Sequence, residues 1–106
     1  MSGLLHLVLA RKKPDVASTA FDAALDQVRK LRSLEGVHEL TVGPDISVEG
    51  LAAGYTHAIY VRFADSESRD AYLRHPEHVR AGELLGACVS DLVVVDVVAD
   101  DAPTHP

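Results

Sequence analysis

The chain has 106 residues, 47% of them hydrophobic and 25% charged, enough for one buried core and too balanced for a disordered, fibrous or low-complexity protein. Ten Lys and Arg against sixteen Asp and Glu give a formal net charge of -6. The average field therefore repels phosphate backbones and anionic lipid, and neither nucleic acid nor a membrane is expected as a partner.

The stretch "GLLHLVLARKK" puts its basic residues after a short apolar run that His6 interrupts, the order of a strand and turn rather than of a leader or a membrane span. A cytoplasmic location is the expectation that follows. Leu4 to Leu9 lacks clean alternation and predicts a first strand covered on both faces. After the turn "RKKPD", the residues Phe21, Ala24, Leu25, Val28 and Leu31 recur at helical spacing and predict an amphipathic helix from Asp15 or Ser18 to Leu34, with Gly36 suited to the position after its end. Alternation from Val37 to Gly43 predicts a second short strand, with His38 at the surface. "GPDISVEGLAAG", residues 43–54, has three glycines and no sustained period, so it reads as a connection and a candidate lid over a cleft.

Tyr55 to Phe63 predicts a third strand with His57, Ile59, Val61 and Phe63 on its core face. In "ADSESRDAYLRH", Asp65 or Ser66 can cap a second helix, which cannot continue smoothly into Pro76; the proline instead suits the first position of a new helix, 76–86. Cys88 forms no internal disulfide and reads as a small buried side chain. Leu92 to Val98, "LVVVDVV", predicts a fourth strand, apolar on both faces apart from Asp96, which could lie at a strand edge or pair with Arg62. The pattern is a single α+β domain over 1–99 with a polar tail, 100–106, in the ferredoxin-like order β-α-β-β-α-β. Helices on one face of such a sheet leave the other bare. Strands one and four are apolar on both faces, so a two-fold homodimer through the sheet faces is expected.

One short segment concentrates proton-handling groups. "AYLRHPEHVRAG" holds Tyr72, His75 and His78 around a point where a helix must break. An imidazole beside a phenol can take a proton next to a carbonyl and hold the developing enolate without metal or cofactor, with His78 as base and Tyr72 as donor. The spacing does not itself fix a common direction for the two side chains. His75 could instead shape the turn with His78 exposed. H-x-x-H alone lacks the convergent ligands of a metal site, and no metal is expected. His6 and His57, on apolar strand faces, also have the form of core histidines whose ring nitrogens find backbone partners.

The segments "LLHLVLARKK", "GVHELTVGPDIS", "GYTHAIYVRFADSESRDAY" and "YLRHPEHV" together resemble the stress-responsive A/B barrel family over about Leu5 to Val97. The resemblance implies a ferredoxin-like protomer in a dimeric α+β barrel, with a small pocket in each protomer. Through polyketide cyclases of the olivetolic acid cyclase type it implies a catalytic pair at Tyr72 and His78, with His6, His57, Ile59 and His75 around a small apolar or carbonyl-containing ligand. The cyclase pattern has bulky aromatics on the first helix where this chain has Ala23, Ala24 and Gln27, so a differently shaped pocket is expected. Three functions stay open on the sequence: a barrel domain of unassigned activity, a cofactor-free cyclase, lyase or isomerase, and a non-catalytic stress-linked binding or assembly module.

Overall fold

The structure, a computed structural model, describes residues 3–100. Period-two segments form β1 (Leu4–Lys12), β2 (Val37–Pro44), β3 (His57–Phe63) and β4 (Val89–Val98), joined in one antiparallel sheet in the order β2-β3-β1-β4. The helices α1 (Ser18–Lys30), α2 (Ser66–Arg74) and α3 (Pro76–Gly86) complete the expected ferredoxin-like order, with the second helical region split at the proline. The core lies on one face of the sheet, where Phe21, Leu25 and Val28 of α1 meet Val8, Ile59, Val61 and Phe63. No helix among the described residues is long and apolar enough to cross a membrane.

Element ends depart from the sequence expectation where tertiary pairing overrides local pattern. β1 continues to Lys12, and a register shift between Arg11 and Lys12 lets β4 begin at Val89 rather than Leu92. β3 starts at His57 because Tyr55 and Thr56 are used to tie down the preceding loop. The Tyr55 hydroxyl donates to Asp91 at 2.8 Å and the Thr56 amide donates to the Ala10 carbonyl at 2.9 Å. α1 ends at Lys30 and tightens into a 3₁₀ turn, Leu31–Ser33. Gly36 then takes φ +86°, and a Cβ there would lie 2.6 Å from Ser68 Cβ, so both backbone conformation and packing require glycine.

The loop 45–56 corrects the expectation of a lid. It closes a recess with Leu9, Leu51, Tyr55, His57 and Ala58 at the far end of the sheet and does not line the cavity described below. Arg11 holds it there, stacking 4.7 Å from the Tyr55 ring centroid and donating to the Ala53 carbonyl at 2.9 Å.

The second sheet face carries Leu5, Leu7 and Leu9 of β1 opposite Val97, Val95 and Val93 of β4. Leu7 is 37% exposed and Val95 49% exposed, an uncovered apolar surface in the single chain. Cys88 is buried and unpaired, and His38 is exposed. Of the expected tail 100–106, all beyond Asp100 lies outside the described residues.

Candidate functional site

The helix break at Pro76 builds the site. Asp65 caps α2 by accepting from the Ser68 amide at 2.8 Å, and α2 ends at Arg74. His75 is extended, φ −66° and ψ 134°, as a residue before proline is pushed to be. Its own Nδ1 accepts from the Glu77 amide at 3.0 Å, so His75 caps α3. The new helix direction carries His78 back over the end of α2, where its Nδ1–H donates to the Leu73 carbonyl at 3.2 Å. That carbonyl belongs to the last turn of α2, where the helix supplies no partner of its own. The bond makes Nε2 the acceptor atom of a neutral His78 ring.

The same turn sets the His78 ring against Tyr72, with centroids 4.6 Å apart. Tyr72 in turn packs edge-on to Phe63 at 4.8 Å and to His6 at 6.2 Å. The three groups His6, Tyr72 and His78 line one cavity of about 270 Å³ between sheet and helices, whose remaining wall is largely aliphatic, including Val8, Val28, Leu31, Ile59, Leu85 and Val94. His6, 5% exposed, donates Nδ1–H to Asp96 Oδ1 at 2.5 Å, and Asp96 Oδ2 accepts from Arg69 at 3.0 Å. Register causes the first contact, because His6 and Asp96 are directly opposite on β1 and β4. Asp96 therefore faces the helix side, away from Arg62, and its partners are His6 and Arg69.

Within the described residues, the Tyr72 hydroxyl and the Nε2 atoms of His6 and His78 make no hydrogen bond, yet no sealed side-chain nitrogen or oxygen lacks a partner. These three polar atoms are therefore accessible, on residues that line the cavity; Tyr72 also borders a second recess with Leu34, Asp65 and His75. Burial holds the His78 ring below its ordinary pKa of 6.5, against the pull of the Leu73 carbonyl. Burial likewise pushes the Tyr72 phenol up to about 12. At neutral pH the cavity thus presents a free imidazole and an un-ionised hydroxyl.

Of the residues expected at the site, Tyr72, His78, His6 and Ile59 converge on the cavity, and His57 and His75 do not line it. His57 shares a face with Ile59, but it pairs with Ala10 while His6 pairs with Val61, four residues along β1. At about 3.3 Å per residue that is roughly 13 Å. His57 instead packs on Phe21, with ring centroids 4.6 Å apart, and its Nδ1 lies 2.9 Å from the Thr56 hydroxyl. Burial lowers its pKa as well. Two further residues belong to the arrangement, Asp96 on the lining and Arg69 holding it from outside the lining. Asp96 had left a trace as the one carboxylate in "LVVVDVV"; Arg69 had none, since a charged residue on an exposed helix turn is ordinary.

The geometry agrees with known proteins over most of the chain. The model of the stress responsive A/B barrel domain matches residues 4–99. A stress-response A/B barrel domain-containing protein of Arabidopsis thaliana is 30% identical over 100 residues, 92% of this chain. The chain spans only 37% of that protein's length, and 48% of the length of a second such Arabidopsis protein, also 30% identical. Olivetolic acid cyclase of Cannabis sativa is 23% identical over 92 residues, covering 86% of this chain and 91% of the cyclase. Among solved structures, one described as a dimeric ferredoxin-like protein of unknown function from Jannaschia sp. superposes with a TM-score of 0.81 at 30% identity, over 90% of this chain and 97% of that one. The hydroxynitrile lyase of Passiflora edulis has a TM-score of 0.86 over 98% of this chain and 97% of its own, and at 20% identity it shares the fold alone. With almost the whole chain inside the family model, the protein belongs to the stress responsive A/B barrel domain family.

Proposed function

We propose that the cavity binds a small carbonyl compound and that His78 and Tyr72 act on the proton next to its carbonyl, without metal or cofactor. The observation that carries this reading is the meeting of an oriented neutral imidazole and an unpartnered phenol in one apolar cavity. His78 Nε2 takes the proton from the α-carbon, and the electron pair moves to the carbonyl oxygen. The Tyr72 O–H donates to the enolate oxygen as charge develops there. Return of the proton to carbon gives back the ketone, whereas attack of the enolate carbon on a second carbonyl would give an aldol product. The Asp96–His6 pair fixes the His6 ring at the cavity wall.

The domain acts, in this reading, as a homodimer joined through the apolar sheet face, as supported by relatives described as dimeric.

α-Proton exchange tests the chemistry directly. In heavy water the wild-type protein should catalyse deuterium uptake at the α-carbon of benzylacetone, read by proton NMR. His78→Ala should lose this by about a hundredfold or more, the usual contribution of a general base. Wild-type exchange no faster than the buffer rate, or equal exchange by His78→Ala, would refute the base assignment.

A further inference from the structure

The cavity's charge inventory says more about its ligand than its shape does. The residues lining it include no lysine or arginine. Its one carboxylate, Asp96, already has an oxygen on His6 and the other on Arg69. Arg69, whose guanidinium also holds Asp70 at 2.9 Å, is thus committed to two carboxylates and is not among the lining residues. Arg74 and Arg80, on α2 and α3, are exposed and lie outside the lining too. The whole chain adds a formal charge of -6.

An anionic ligand entering this space would leave water with no lysine or arginine on the lining to receive it, beside the Asp96 carboxylate. A neutral carbonyl meets the opposite situation, with an aliphatic wall for its carbon skeleton and the Tyr72 hydroxyl for its oxygen. The volume of about 270 Å³ limits size. That lies below the roughly 300–1,000 Å³ of pockets for drug-sized ligands, room for a small ligand on the order of ten heavy atoms.

From these observations we propose that the site selects uncharged carbonyl compounds of that size and excludes carboxylates and phosphate-bearing acyl carriers. This rests on the cavity being the ligand site, as argued above. The class of reaction supplying the substrate must then release a free neutral aldehyde or ketone rather than an acid or a carrier-bound acyl group.

An isosteric pair tests the selectivity. Benzylacetone and hydrocinnamate have the same number of heavy atoms and differ by a methyl in place of a carboxylate oxygen. Titrated into ¹⁵N-labelled wild-type protein at pH 7, benzylacetone should shift the amide signals of Leu73, Ala81 and Leu85, and hydrocinnamate should bind at least about tenfold more weakly. Val94→Lys places an ammonium on the lining at a position 55% exposed in the wild type. It should bring hydrocinnamate to within threefold of benzylacetone. Equal or tighter binding of hydrocinnamate at the same amides of the wild type would overturn the selectivity while leaving the cavity as a ligand site. If neither compound shifts those amides at millimolar concentration, the selectivity and the ligand-site reading both fall.

Discussion

His78 owes its proposed chemistry to what its two nitrogens do. Nδ1–H is tied to Leu73, and burial keeps the ring from charging easily. A base of this kind works when neutral, so activity should be lost as pH falls through the folded-state pKa, which lies below 6.5, and should be level across neutrality. The alkaline side should stay level until Tyr72 begins to ionise toward about 12. A pH–rate profile of α-proton exchange checks both limbs, and a midpoint above 6.5 on the acid side would contradict the assignment. Tyr72→Phe separates chemistry from packing. It keeps the ring that contacts Phe63, His6 and His78 and removes only a hydroxyl with no hydrogen bond among the described residues. Its melting temperature should be nearly unchanged, while exchange falls about a hundredfold, as for removal of one oxyanion donor. A marked loss of stability with exchange intact would make Tyr72 a purely structural residue.

Among the elements, the break between α2 and α3 and the pairing of β1 with β4 position everything in the site. The break was legible in the sequence, because proline forbids a continuous helix and offers a first turn to the next. The return of His78 onto Tyr72 was not, since it depends on the His75 backbone angles. The strands were legible from their period, and the ferredoxin-like order followed from them. The facing of His6 and Asp96 was hidden because register is a tertiary property, and the same property removed His57 from the cavity while keeping it on the expected face. The glycine after the 3₁₀ turn was expected at the helix end, but its contact with Ser68 was not visible in one dimension. Gly36→Ala must hold φ +86° against a 2.6 Å contact, and it should cost about 1–3 kcal/mol. Chemical denaturation measures this, and a cost near zero would show that the turn relaxes freely.

At the scale of the whole molecule, two faces of one sheet divide the work. The helix face holds the cavity, and the other face presents Leu5, Leu7, Leu9, Val93, Val95 and Val97. If a second copy covers that face, light scattering at micromolar concentration should give twice the chain mass, and Val95→Asp should yield monomer or unfolded chain because an unpaired carboxylate would be buried. A monomeric wild type, or a Val95→Asp variant still folded and dimeric, would sink the sheet-face interface. Stability should also weaken in acid. His57 and His78 both have folded pKa values lowered from 6.5, so the unfolded chain binds more protons as pH falls below 6.5, and the melting temperature should decline there. The central claim is a neutral, oriented His78 base whose free nitrogen faces a ligand cavity. Long-range ¹H–¹⁵N imidazole NMR of the wild-type protein at pH 7, with and without benzylacetone, tests it most directly. A Nδ1–H tautomer is expected for His78, with a Nε2 signal that moves when the ketone is added. A Nε2–H tautomer, or a His78 Nε2 signal indifferent to the ketone, would contradict it.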